Sequence, residues 1–177
     1  MWPFGKNKKM TFVIATADAQ VEIWAPLSGK VLELIQVPDP VFSNGLLGPG
    51  VAIQPSSGKI LAPFDGEVIS CFPTGHAIGL RSAGGVECLI HCGIDTVELQ
   101  GKGFQIKVKQ GDKVVRGTVL IDVDLNVLAS AGKNLATPII ITNSDDWHMQ
   151  IERKEGEVVA GQDVLFHVSR AGAPSQS

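Results

Sequence analysis

The chain is 177 residues long, carries a formal net charge of −3 and contains 20 glycines and 10 prolines. That length supports one domain with a sizeable core, the charge excludes a general nucleic-acid footprint, and the many turn formers argue for short strands over long helices. No apolar run reaches the ~18 residues a membrane span needs, and an odd number of cysteines (Cys71, Cys88 and Cys92) rules out a fully paired disulfide framework.

Residues 1–19 are expected to form a flexible segment ahead of the domain. Met1 to Lys9 mixes Trp2 and Phe4 with three lysines, Met10 to Ala17 is apolar, and Ala17-Asp18-Ala19 imitates a signal-peptidase site. Eight apolar-run residues that include two threonines make a poor secretory signal. The readings left are a plain tail or a weak membrane-surface anchor, with the aromatics at the interface and the lysines near anionic headgroups. Met1 and this distinctive start point to a free-standing chain.

The domain itself is expected to span residues 20–170. Val21-Glu22-Ile23-Trp24 alternates as a strand does. The frame Ala25-Pro26-Leu27-Ser28-Gly29-Lys30-Val31 returns as Ala62-Pro63-Phe64-Asp65-Gly66-Glu67-Val68. A later pair, residues 111–120 and 156–165, likewise opens on glycine and continues into β-branched residues. Two early and two late copies predict an all-β fold, a duplicated antiparallel β-sandwich or flattened barrel with short helical turns. Similar frames occur in biotinyl and lipoyl carriers, but Lys30 and Lys59 lack the flanking residues such carriers use. Between the early copies, residues 37–50 hold three prolines and three glycines and cannot be one long element. Their Val41, Phe42, Leu46 and Leu47 must either cover core or meet a partner.

Two histidines follow. Phe72-Pro73-Thr74-Gly75-His76 is a turn running into a strand, and Glu87-Cys88-Leu89-Ile90-His91-Cys92 is a strand bracketed by glycines. Alternation puts His91 on the face of Leu89 and Glu87, with Cys88, Ile90 and Cys92 on the other. Folding the chain about Ala83-Gly84 sets residues 76 and 91 directly opposite, with Cβ atoms roughly 4.5–5.5 Å apart. An imidazole in so apolar a run is either a hydrogen-bonded core group or a placed reactive one. Cys88 and Cys92 lie roughly 13 Å apart on an extended strand, too far to share a metal, and read as structural thiols.

Further on, Phe104 to Val108 reads as an amphipathic strand with Lys107 and Lys109 outward. Asp124 to Ala131 reads as a short helix capped by Asp124 and stopped by Gly132. Pro138 to Thr142 reads as a buried strand, and Phe166-His167-Val168 as the last. His148 is expected in an exposed turn and His167 on a strand facing solvent, neither with a chemical role. Residues 171–177 are expected to be a disordered tail.

The run Leu89-Ile90-His91-Cys92-Gly93-Ile94-Asp95-Thr96-Val97 resembles the active-site signature of the glucose-type enzyme IIA component of the bacterial phosphoenolpyruvate-dependent sugar phosphotransferase system. Thr74-Gly75-His76, Pro38-Asp39-Pro40-Val41-Phe42 and Ala62-Pro63-Phe64-Asp65-Gly66 fit the same family, and the similarity covers about residues 20–170. Cys92 departs from it, since relatives usually carry a larger apolar residue there. The resemblance implies a cytoplasmic phosphocarrier that needs no cofactor. His91 would accept a phosphoryl group from the histidine phosphocarrier protein HPr and pass it to a cysteine on the IIB domain of a sugar permease. His76 would contact the phosphate and Thr74 would orient His76. The resemblance also implies an apolar rim of Val41, Phe42, Leu46, Leu47, Phe72, Leu89 and Val97. Asp39 and Asp95 would stand at its edge to meet arginines of the incoming carrier. In its unphosphorylated form the same face would bind regulated permeases or metabolic enzymes, with at most peripheral membrane contact. The identity of the sugar belongs to the permease.

The chemistry of the residues agrees with this assignment. A neutral imidazole is a nucleophile near neutral pH, and a donor beside it stabilises a transferring dianion. The competing expectation is a zinc-dependent hydrolase with His76 and His91 as two ligands. A catalytic zinc site takes three protein ligands, and the sequence shows no HxH or HExxH pair to complete one. A zinc bridged between these histidines and a partner's carboxylate is a further reading that involves no hydrolysis.

Overall fold

The computed structural model describes residues 20–171. The expected N-terminal segment, with its signal and anchor readings, and residues 172–177 of the expected tail lie outside the described residues. The first half of the chain gives β1 (Gln20–Trp24), β2 (Gly29–Glu33), the one-turn helix α1 (Pro40–Ser43), β3 (Gly50–Pro55), β4 (Lys59–Leu61), β5 (Gly66–Cys71), β6 (Ala77–Ser82) and β7 (Glu87–His91). The second half gives β8 (Phe104–Ile106), β9 (Lys113–Val114), β10 (Val119–Val123), α2 (Leu125–Ser130), β11 (Thr137–Ile141), β12 (Trp147–Ile151), β13 (Glu157–Val158) and β14 (Val164–Arg170). An eight-stranded sheet in the order β13-β2-β3-β11-β7-β6-β5-β9 packs with two three-stranded sheets, β1-β14-β12 and β4-β10-β8, as a β-sandwich. The pairings are antiparallel.

The repeated frames occupy equivalent places. Each early copy enters a strand, β2 or β5, and each late copy supplies that strand's outer neighbour, β13 or β9. The registers match: Gly29 faces Val158 and Lys30 faces Glu157 in one copy, while Gly66 faces Val114 and Glu67 faces Lys113 in the other. The strands before the early frames, β1 and β4, pair with the strands after the late ones, β14 and β10. Duplication therefore builds the two ends of the large sheet and closes each against a small one.

The middle of the large sheet carries apolar residues on both faces. Cys88 and Ile90 of β7, with Ile139 and Ile141 of β11, enter the main core. Leu89, Ile140 and Ala52 point the other way, where Val37, Phe42 and Ile94 cover them as a second, smaller core. α1 sits over this second face because Asp39 starts it: the carboxylate accepts from the Val41 amide at 2.9 Å, and Pro40 is preset for the first helical position. Burial pushes the thiols of Cys88 and Cys92 up to about 12, so both are inert packing groups.

The β6–β7 hairpin differs by one residue from the register expected by folding about Ala83-Gly84. His91 stands opposite Ala77, and Glu87 opposite Arg81. The loop holds three residues, not two. The Gly85 amide bonds to the Ser82 carbonyl at 3.0 Å, the Ser82 amide bonds to the Val86 carbonyl at 2.9 Å, and Gly85 takes a φ of +96°. That is a turn followed by a left-handed residue, which glycine alone adopts without cost. Asn143 fastens this loop by accepting from the Glu87 amide and donating to the Gly85 carbonyl.

Smaller departures have similar local causes. The strand expected over residues 104–108 ends at Ile106. His148 is exposed but lies in β12, not in a turn. His167 does not face open solvent: β14 is the middle strand of its sheet, its side chain is 18% exposed, and Nε2 lies 2.9 Å from Glu152 Oε1. The expected short helix is present as α2, with Asp124 accepting from the Asn126 and Val127 amides.

Candidate active site

His91 ends β7 on the face shared with Leu89. Its Nδ1 lies 2.7 Å from the Gly93 carbonyl oxygen. A carbonyl only accepts, so Nδ1 carries the hydrogen and Nε2 keeps its lone pair. Phe42 packs against the ring, with centroids 5.0 Å apart and planes tilted by 58°. Gly93 makes the return bend possible. Its φ is +74°, and a Cβ there would stand 2.7 Å from Thr96 Cγ2 and 3.0 Å from the Asn134 carbonyl oxygen.

His76 lies in the bend just ahead of β6, so its side chain is not bound to strict strand alternation. This is how the two rings meet although the hairpin register pairs His91 with Ala77. The centroids are 5.3 Å apart, edge to face at 77°. Thr74 Oγ1 is 2.5 Å from His76 Nδ1. With the hydroxyl donating, Nε2 of His76 bears the hydrogen and becomes a donor at the mouth of the site. Phe72 backs this ring at a centroid distance of 5.2 Å.

Burial lowers the pKa of both imidazoles from the usual histidine value. For His76 the neighbouring His91 acts in the same direction. For His91 the hydrogen bond to Gly93 and the negative charges of Asp39 and Asp95 oppose burial without overcoming it. Both rings are therefore neutral at neutral pH, one offering a nucleophilic lone pair and the other an N–H. Among the described residues, no cluster of three His, Cys, Asp or Glu side chains is placed to hold a metal ion. The pair alone is an incomplete zinc set.

Of the residues expected at the rim, Val41, Leu47, Phe72 and Val97 are exposed, as is Leu46 at 70%, and of these Phe72 is the one that touches a ring. Leu89 is half-buried. Phe42 departs from the expected rim: it is buried, and it supports His91 from beneath without offering surface to a visitor. Asp39 and Asp95 act on His91 through space. Asp39 also caps α1, and Asp95 holds a left-handed φ of 58° ahead of the 3-10 turn Thr96–Leu99. An aspartate tolerates that conformation better than most residues, at some strain.

Sequence reasoning missed several contributors. Ile35, 70% exposed, lies in a 3-10 turn packed against α1 and extends the apolar surface there. Thr96, Thr137 and the Asn134 backbone hold the Cys92–Ile94 bend. For Thr96 the available signal was its position four residues after Cys92, the spacing of a side chain bonding back to a carbonyl. Thr137, 44 residues from Gly93, carries no local signal.

Comparison with known proteins places the chain among relatives. The chain is 38% identical over 169 residues to the PTS system glucose-specific EIIA component of Halalkalibacterium halodurans, covering 96% of this chain and 97% of that one. It is 44% identical over 153 residues to the protein of the same name from Haemophilus influenzae, covering 86% and 92%. It is also 45% identical over 161 residues to the PTS system glucose-specific EIICBA component of Staphylococcus carnosus, where it covers 91% of this chain but spans only 24% of that longer protein. The glucose permease IIA of Mycoplasma capricolum superimposes with a TM-score of 0.79 at 36% identity, covering 94% of this chain and 99% of that one. The family model for the phosphoenolpyruvate-dependent sugar phosphotransferase system, EIIA 1, matches residues 21–147, and the chain belongs to that family.

Proposed function

We propose that the chain is a phosphocarrier that takes a phosphoryl group onto His91 Nε2 from HPr and passes it to a cysteine on the IIB domain of a sugar permease. The observation that carries this reading is the 2.7 Å bond between His91 Nδ1 and the Gly93 carbonyl, which leaves Nε2 unprotonated and beside His76. As the P–N bond of the donor phosphohistidine breaks, the Nε2 lone pair forms the new P–N bond. The Nδ1 hydrogen stays on the ring, so the phosphorylated imidazole becomes cationic. Gly93, Asp39 and Asp95 stabilise that charge, and a cationic ring is a good leaving group for the onward step. His76 Nε2–H donates to a phosphoryl oxygen as charge builds in transfer. Thr74 keeps that hydrogen in place.

The exposed apolar surface lets either partner exclude water from the bond being exchanged. The fusion of this domain to the EIIC and EIIB parts named in the Staphylococcus carnosus relative supports the IIB domain as one partner. As the proposed reading implies, the reaction is placed in the cytoplasm. A dianion on His91 would repel an apolar partner docked there, so binding of regulated permeases or enzymes would follow phosphorylation state. The carrier domain of this proposal spans residues 20–170. No observation favours the zinc hydrolase.

The test is incubation with phosphorylated HPr. Acid-labile label on His91 of the wild type, and none on His91→Ala, is the expected result. Folded wild-type protein that takes no label, or takes it elsewhere, would overturn the assignment.

A further inference from the structure

Resting on that phosphocarrier reading, we infer that Thr96 and Thr137 are positioning residues: together with the Asn134 carbonyl on the next peptide, they fix the bend that aims the Gly93 carbonyl and so hold His91 in its reactive tautomer. Both side chains are buried, at 0% and 3% exposure, and neither reaches the imidazoles. Their hydroxyls act on one peptide group. Thr96 Oγ1 donates to the Cys92 carbonyl at 2.6 Å, and Thr137 Oγ1 accepts from the Gly93 amide at 3.4 Å. Thr137 can accept there because its own hydrogen goes to the Leu135 carbonyl at 3.0 Å. The next peptide group is held as well: the Ile94 amide donates to the Asn134 carbonyl at 2.9 Å, and the Gly93 carbonyl receives the His91 Nδ1 hydrogen.

A trans peptide is planar, so its C=O and N–H point in opposite directions and pinning one end aims the other. Two consecutive planes are pinned in this way on either side of Gly93, a residue with the freedom to swing. Without the pins the Gly93 carbonyl can turn off His91. The ring then loses the acceptor that selects Nδ1–H, and the alternative neutral tautomer has its hydrogen on Nε2, the atom that must attack.

The experiment records ring-nitrogen NMR of His91 in wild type, Thr96→Val and Thr96→Ser, together with the rate of loading from phosphorylated HPr. Wild type is expected to show the Nδ1–H tautomer. Thr96→Val keeps the shape but removes the hydroxyl. It is expected to show mixed tautomers, a lower His91 pKa because the Gly93 bond raises it, and loading about tenfold slower, the low end of what losing an outer hydrogen-bond partner costs metal-bound histidines. KM for the carrier should be unchanged, and Thr96→Ser should restore all three readouts. If Thr96→Val does not fold, Thr137→Val puts the same question at the Gly93 amide. A folded valine variant with wild-type tautomer, pKa and rate overturns the inference. If wild type takes no phosphate on His91, the function reading fails, while the tautomer comparison still tests the clamp.

Discussion

Replacing Gly93 by alanine tests the bend that carries His91 into its working tautomer. Alanine at a φ of +74° costs about 1–2 kcal/mol through backbone sterics alone. Its Cβ would also stand 2.7 Å from Thr96 Cγ2 and 3.0 Å from the Asn134 carbonyl oxygen, both in tightly packed surroundings. Overpacking of that kind adds about 1–3 kcal/mol. The expected loss is therefore about 2–5 kcal/mol, a large part of a typical domain's stability, with a Tm drop on the order of 10 °C. Gly111→Ala is the control: φ there is +94°, but no atom lies within 4 Å of the added carbon, so only the backbone part applies. Urea denaturation followed by circular dichroism measures both variants. Combining Gly93→Ala with Thr96→Ser, which removes the crowding methyl, should recover part of the excess. Equal losses at Gly93 and Gly111, or no recovery in the double variant, would refute the steric argument.

Further outcomes are expected. His76→Gln, which replaces the fixed Nε2–H by a flexible amide, should still take phosphate on His91 but pass it on about a hundredfold more slowly, as displacement of a placed donor does; onward transfer at the wild-type rate would remove His76 from the mechanism. Burial lowers both histidine pKa values, so their neutral forms contribute stability that is full above the ordinary value near 6.5 and is lost as pH falls through the lower folded values. Phosphate acceptance should stay level down through about pH 6.5 and decline only below it, and an NMR titration midpoint above the usual histidine value would contradict this. Phe42→Ala should destabilise the fold by about 3–5 kcal/mol because it empties a buried site. Leu46→Ala should change stability by no more than about 0.5 kcal/mol yet raise KM for the donor protein, and the reverse pattern in denaturation and transfer assays would exchange their roles.

Much of this arrangement was legible before any coordinates. The repeated Ala-Pro frames announced a duplicated sandwich because each frame combines a fixed turn with inward β-branched residues. His91 could be assigned a face because alternation is strict within a strand, and Asp124 announced α2 by its chemistry. What was not legible depended on counts or distances that composition does not carry. Two- and three-residue loops both fit Ser82-Ala83-Gly84-Gly85, and the choice between them moves the register by one. Phe42 looked like its neighbours Val41 and Leu46, and only the one-turn helix decides which of the three points inward. Thr137 reaches Gly93 across the fold, beyond any local pattern.

The three-residue hairpin loop has a consequence for how the two rings are held. Both imidazoles hang from one continuous ribbon, and Asn143 clasps its far end. Their spacing is therefore set within a single hairpin and not across two sheets. Val41, Leu46 and Asp39 arrive on a separate stretch of chain around α1, which buried Phe42 fastens against the His91 ring. Ring spacing and the exposed surface around α1 are in this way set by different segments, and substitutions at Val41 or Leu46 need not disturb the imidazole pair.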